Sequence, residues 1–149
     1  MRTAVRFVAA VQIAGATFAG VLAAAAPVNW LGRALPELLA AAGVLGGVLL
    51  WSGDPRGVRL SGLVWALQLV KLQTAALTYY VGTGPQLVLA VQDGQLAFTT
   101  GVGAGAYLAS APVAHTYVGL NVAALACLVV LWIAGVGSQQ TAAGQAVAA

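Results

Sequence analysis

The fold prediction depends most on residues 58–81, VRLSGLVWALQLVKLQTAALTYYV, an apolar stretch with Lys71 near its middle. A transmembrane helix needs about 20 mostly apolar residues. The paired Tyr79 and Tyr80 at the end of the stretch are typical of the boundary between membrane and water. The pattern therefore predicts that residues 58–81 form a membrane-spanning helix.

The composition of the whole chain supports a membrane protein. Of its 149 residues, 61% are hydrophobic and 6% are charged, whereas soluble domains average about 25% charged residues. So much apolar surface cannot be buried inside one small globule, which argues against a soluble enzyme domain. A disordered chain is excluded as well, because it needs high charge and low hydrophobicity.

Three further apolar stretches, residues 5–26, 36–51 and 112–134, predict three more membrane spans. The predicted fold class is an all-α integral membrane protein, a bundle of four transmembrane helices over residues 1–136. A flexible tail is expected over 137–149. The first span could instead be a cleaved signal peptide, although its length and its small residues at helical spacing favour retention.

The loop between the third and fourth spans, residues 82–111, contains two short apolar runs around Asp93-Gly94. An Asp-Gly pair between such runs is a strong β-hairpin signal, so a short extramembrane β-hairpin is expected here. The alternative is a re-entrant segment or a fifth span over 95–111. Gly101, Gly103 and Gly105 weigh against a helix in this segment.

The arginines predict the orientation in the membrane. Arg2 and Arg6 precede the first span, and Arg56 and Arg59 lie between the second and third, whereas Arg33 is expected on the opposite side. The positive-inside rule therefore predicts a multi-pass protein of the cell (inner) membrane with both termini in the cytoplasm.

Lys71 is the most informative residue for function. A lysine at the centre of a membrane helix costs about 2.5–3.5 kcal/mol, so it normally faces a partner or a cavity. On a helix, Gln68, Lys71, Thr74 and Thr78 would share one face as an intramembrane polar stripe.

None of the three acidic residues is expected at the depth of Lys71: Glu37, Asp54 and Asp93 all lie near predicted interfaces. Three outcomes stay open. A partner subunit or ligand supplies an anion, the lysine reaches toward the interface, or it is neutral with a lowered pKa.

Other residues are candidates for weaker roles. Trp65, Tyr79 and His115 are candidate ligand-lining residues. Gly43, Gly47 and Asn121 are candidates for helix packing, because small residues let helices approach closely and a buried amide can bond across them. Because the chain has one cysteine, Cys127, and one histidine, we expect no metal site and no cofactor. The scattered cations do not indicate nucleic-acid binding, and no nucleophile–base set can be assembled.

The function predicted from these features is a non-catalytic subunit or accessory of a larger membrane complex. Its expected partners are the lipid bilayer and other membrane subunits, or further copies of itself. One alternative is a homo-oligomeric channel or transporter that uses Lys71 for a small anionic solute. Another is a lipid- or quinone-binding membrane protein.

Overall fold

The computed structural model describes residues 2–27, 30–109 and 115–147. Within these ranges the chain forms four helices and four strands, in the order α1 (Arg2–Ala25), α2 (Trp30–Ser52), α3 (Pro55–Leu67), β1 (Val70–Gln73), β2 (Thr78–Gln92), β3 (Gln95–Ala109), β4 (Tyr117–Asn121) and α4 (Val122–Val147). The four strands form one antiparallel, curled sheet. The protein is therefore mixed α/β, and the prediction of an all-α transmembrane helical bundle is wrong.

The third predicted span, 58–81, is wrong because its helix ends at Leu67. Polar Lys71 and Gln73 alternate with apolar neighbours in β1, which is the two-residue period of a strand. The turn that follows is built on Thr74, whose hydroxyl accepts hydrogen bonds from the backbone N–H groups of Ala76 (3.3 Å) and Leu77 (3.1 Å). No glycine, proline or asparagine marks this turn, so the sequence pattern hides it.

The fourth predicted span, 112–134, is wrong in its first part. Residues 112–114 lie outside the described residues, and β4 occupies Tyr117–Asn121 before α4 begins at Val122. The backbone of α4 continues through Val147. Flexibility of the tail over 137–149 stays a prediction.

The first two predicted spans correspond to α1 and α2, which pack through small residues. A Cβ atom on Gly43 would lie 2.7 Å from Cβ of Ala16, and one on Gly47 would lie 2.6 Å from a side-chain carbon of Ile13. In the described part of the chain, α1 and residues Ala34–Ser52 of α2 are long and apolar enough to cross a membrane, judged by length and composition alone.

The turn into α3 is fixed by Asp54, the N-cap residue. Its carboxylate accepts a hydrogen bond of 2.8 Å from the backbone N–H of Arg56, and Pro55 follows it at the first helical position. Gly53 has a φ of +83°, which suits glycine. This turn brings α3 back against α2, where Gly57 packs on the backbone of Leu49 and Leu50.

The sheet has the strand order β1-β4-β2-β3, and β1 also pairs with the start of β2. The first residues of β2 pair with β1 (Leu72 opposite Tyr79), whereas its last residues pair with β4 (Val88 opposite Asn121). Because β1 also pairs with β4, strands β1, β4 and β2 form a closed circuit. This closure curls the sheet and gives it an inner face.

The change of partner along β2 takes place near Gly84. This residue has a φ of +147°, a conformation that residues with a Cβ rarely adopt. Helix α1 packs against β2 at this residue, where a Cβ on Gly15 would lie 2.6 Å from Cα of Gly84. The two glycines therefore let α1 touch the sheet backbone.

The structure places a two-residue turn at Asp93 and Gly94, at the position of the Asp-Gly hairpin signal. Their φ values are +49° and +81°, as a type I′ turn requires. The hairpin is much larger than predicted, because its paired strands extend from Thr78 to Ala109. It therefore includes the end of the third predicted span.

The buried apolar cluster lies between the helices. It contains Val8, Ala9, Leu50, Trp65, Ala124 and Leu131, which come from all four helices. None of these six residues belongs to the sheet, whose inner face is lined by more polar residues.

Candidate functional site

The inner face of the curled sheet forms a cleft of about 340 Å³. Most residues lining it have polar side chains, and these come from all four strands: Lys71, Gln73, Thr78, Tyr79, Tyr80, Gln86, Thr99, Thr100 and Tyr117. None of the lining residues is acidic. A hydrogen-bonding cleft in so apolar a chain is the strongest candidate for a functional site.

Lys71 supplies the positive charge of the cleft. Its side chain is 3% exposed, and its ammonium donates a hydrogen bond to the backbone carbonyl of Val81. The Nζ atom also lies 4.0 Å from the centre of the Tyr80 ring, which is a cation–π contact. An ammonium has three N–H donors, so one carbonyl and one ring leave part of its capacity for another acceptor.

The ammonium has no carboxylate partner among the described residues. Asp93 pairs with His115, Asp54 caps α3, and Glu37 is exposed. Burial without such a partner lowers the pKa of Lys71 from 10.5 to about 8. The cleft is therefore cationic at neutral pH and neutral in moderately alkaline solution.

Glycines shape the floor of the cleft. A Cβ on Gly82 or Gly103 would collide with the side-chain amide of Gln86, which lies across both positions. That amide donates a 3.2 Å hydrogen bond to the hydroxyl of Tyr80. Since Tyr80 carries the ring beneath the ammonium, these glycines allow Gln86 to support the aromatic partner of Lys71.

Tyr117 closes another side of the cleft. Burial raises its pKa, while a hydrogen bond with the side chain of Thr99 lowers it and the nearby Tyr80 raises it. Both Tyr117 and Tyr79 have pKa values above the ordinary value of 10.0. Their hydroxyls are therefore protonated at neutral pH and can donate hydrogen bonds.

The predicted polar stripe is only partly brought together, because it does not lie on a helix. Lys71 and Thr78 border the cleft, whereas Gln68 lies behind it at the end of α3. The Gln68 side-chain carbonyl accepts a 3.0 Å hydrogen bond from the N–H of Thr83 in β2. Thr74 belongs to the exposed turn and does not line the cleft.

The three candidate ligand-lining residues lie in different places. Tyr79 borders the cleft, and its hydroxyl donates a 2.5 Å hydrogen bond to the carbonyl of Leu67 at the end of α3. Trp65 is 1% exposed and belongs to the helical core. His115 is exposed, and its Nδ1 lies 2.9 Å from Oδ2 of Asp93 at the hairpin tip.

The candidate packing residues take part in contacts between elements. Gly43 and Gly47 lie between α1 and α2. Asn121 joins β4, β2 and α4, because its side-chain carbonyl accepts from the N–H groups of Leu87 (3.2 Å) and Ala124 (3.4 Å). Asn121 thus joins the sheet to α4, the two glycines let helices approach each other, and none of the three lines the cleft.

Sequence reasoning missed the other polar residues of the cleft: Gln73, Tyr80, Gln86, Thr99, Thr100 and Tyr117. A signal was available in the two-residue alternation of Lys71 with Gln73 and of Thr78 with Tyr80. The long apolar run around them concealed it.

The described residues contain no group of three or more side chains suited to holding a metal ion. Comparison with known proteins adds no functional evidence: no family model, no curated protein and no solved structure matches this chain. The chemistry of the cleft is therefore the basis for assigning a function.

Proposed function

We propose that this protein is a non-catalytic membrane protein whose cleft binds an amphipathic molecule through its acidic group. The observation that carries the proposal is a buried lysine without a carboxylate partner in a cleft lined by hydrogen-bond donors. A carboxylate or a phosphate would accept hydrogen bonds from the ammonium and from neighbouring hydroxyl and amide groups.

The size of the cleft suits a headgroup rather than a whole lipid. Its volume of about 340 Å³ is at the small end of ligand sites, which range over about 300–1,000 Å³. Within the part of the chain that the structure describes, two helical segments have the length and composition to cross a membrane, which favours a ligand that also carries a hydrocarbon part. A membrane location and cytoplasmic termini are part of this proposal.

The test is lipid binding followed by native mass spectrometry of the protein in neutral detergent. The probes are phosphatidylglycerol for phosphate, a fatty acid for carboxylate, and zwitterionic phosphatidylcholine as the comparison. We expect the wild type to retain one of the two anionic probes, with at least tenfold less retention by Lys71→Met.

The matched control is Arg56→Met, which removes the same charge from an exposed residue outside the cleft. This variant should bind like the wild type. Equal retention of anionic and zwitterionic lipid, or unchanged anionic binding by Lys71→Met, would contradict the proposal.

The role of accessory subunit in a larger complex stays a prediction that pull-down of the tagged protein in detergent can test. The alternative of an anion channel also stays a prediction, although the helical stripe that motivated it is replaced by a strand. Anion flux in liposomes, compared between wild type and Lys71→Met, tests that alternative.

A further inference from the structure

The outer face of the curled sheet is apolar, although its inner face is polar. Two rows of directly opposed side chains cross the strands on this outer face. The first row takes one residue from each of the four strands, and the second comes from β4, β2 and β3: Val70, Leu120, Leu89 and Phe98, then Val118, Val91 and Leu96. Their exposed fractions range from 38% at Leu120 to 80% at Leu96, and none of them lines the cleft. A sheet that faces water has the opposite arrangement, with its polar side chains on the outer face.

Helix α3 is too short to accompany α1 along its whole length. It has 13 residues, or about 20 Å, whereas the hydrocarbon core of a bilayer is about 30 Å thick. Near the end of α3, Val64 packs at Gly43 of α2, and Ala16 of α1 packs at the same glycine. Helix α1 continues from this level to Ala25, which adds about 15 Å. Something other than α3 therefore lies beside the second half of α1.

The sheet reaches the middle of α1, close to the level at which α3 ends. Gly84 of β2 packs on Gly15, the neighbour of Ala16, and strand β3 contacts both α1 and α2. The middle of a helix that crosses a bilayer lies at the centre of the hydrocarbon core. The sheet therefore lies at membrane depth when α1 and α2 are membrane spans.

We propose that the outer face of the sheet contacts the acyl chains of phospholipids. This contact depends on the membrane location proposed above, and it adds that the sheet is embedded in the bilayer beside α1. The seven side chains of the two rows carry neither a charge nor a hydrogen-bonding group, so they offer nothing to a polar surface. Fluid acyl chains cover a convex apolar face without needing a matching shape.

The backbone of the sheet is compatible with this surrounding. In hydrocarbon every backbone polar group needs a partner, and an open strand edge is unfavourable. Strands β1, β4 and β2 pair with one another in a closed circuit. The remaining described strand, β3, pairs with β2 and contacts α1 and α2, which reduces the backbone that its edge presents to lipid.

Spin labels on single cysteines test the contact in a Cys127→Ala background, with the protein in liposomes of phosphatidylcholine and phosphatidylglycerol. Electron paramagnetic resonance compares collisions of the label with oxygen, which concentrates in hydrocarbon, and with a polar nickel chelate, which stays in water. The ratio of oxygen to nickel collisions at Phe98→Cys should exceed the ratio at Arg56→Cys by about tenfold, because hydrocarbon excludes a polar complex. Arg56 is the water-facing control, since it is exposed in the first turn of α3.

Phe18→Cys separates a failure of this proposal from a failure of the proposed function. Phe18 is 47% exposed on α1, three residues from Gly15, so its label meets hydrocarbon if α1 crosses the bilayer. A high ratio at Phe18 with a low ratio at Phe98 would overturn the embedding of the sheet and leave the membrane location intact. Low ratios at both positions would overturn both proposals.

A second label on another strand keeps the test decisive if one variant misfolds. Val118→Cys, on β4, replaces a side chain that is 46% exposed and should give the same high ratio as Phe98→Cys. Circular dichroism checks that each labelled variant is folded. Exclusion of both oxygen and nickel from the two labels would show that protein covers this face, and that result would also overturn the contact with lipid.

Discussion

Raising the pH from 7 to 9 should weaken the binding of an anionic ligand to the cleft about tenfold. Burial lowers the pKa of Lys71 to about 8, so the protonated fraction falls from about nine tenths at pH 7 to about one tenth at pH 9. If the ammonium form alone binds the anion, the dissociation constant rises in proportion to the loss of that form. Lysine at its ordinary pKa of 10.5 would show almost no change over this range.

The stability of the ligand-free protein should change in the opposite direction. The unfolded chain keeps its lysine proton to a pKa near 10.5, whereas the folded chain loses it near 8. Between these values the unfolded state binds more protons, so the free energy of unfolding rises with pH. Weaker binding together with greater stability over the same pH range is therefore the signature of a buried, desolvated lysine.

Isothermal titration calorimetry with a short-chain phosphatidylglycerol measures the binding, because the phosphodiester keeps its charge over this range. Lys71→Arg is the informative variant, since arginine stays protonated and its binding should be independent of pH. A wild-type dissociation constant that is unchanged between pH 7 and 9, or an equal pH dependence in Lys71→Met, would refute the reasoning.

Three further predictions concern the framework of the cleft. Gly15→Ala should lower the free energy of unfolding by about 1–3 kcal/mol, because the added methyl group would collide with the backbone of β2. The control is Gly62→Ala, since a Cβ at Gly62 has no neighbour within 4 Å. In thermal unfolding this control should be neutral or stabilising by up to about 1 kcal/mol. Gly103→Ala should displace the Gln86 amide and weaken ligand binding about fivefold, the equivalent of one hydrogen bond, with little change in melting temperature. A backbone hydrogen bond from Thr116 lowers the pKa of the Asp93 carboxyl below 3.8, so the free energy of unfolding of the wild type should fall as the pH drops through that lowered pKa. Asp93→Asn should remove this contribution of Asp93 to the pH dependence. An equal loss of stability in acid for the variant and the wild type would contradict the prediction.

The sequence predicts the first two helices and the hairpin turn because each depends on local signals. The small residues of α1 and α2 match their contact, and the Asp93-Gly94 turn needs positive φ values that these residue types tolerate.

The rest of the fold depends on partners that are distant in sequence. Residues 58–81 satisfy the length and hydropathy of a membrane helix, whereas the strand at Val70–Gln73 takes its backbone partners from β2 and from the distant β4. The apolar surroundings of Lys71 mark it as unusual in the sequence, but Gln86 and Tyr117, which line the same cleft, are distant in sequence and no local pattern connects them to it. The sequence alone therefore identifies the charged residue of the candidate site, but not the polar residues that surround it.

The position of β4 in the sheet has a consequence for biosynthesis. This strand lies between β1 and the end of β2, although it is made after both of them and after the whole hairpin. A nascent chain that has not yet reached Tyr117 contains α1 to α3 and the hairpin, whose contacts are close in sequence, but it lacks β4 and cannot complete the closed circuit of strands. The circuit around Lys71 therefore closes only after β4 has been synthesised, and a chain truncated before Tyr117 would lack one wall of the cleft.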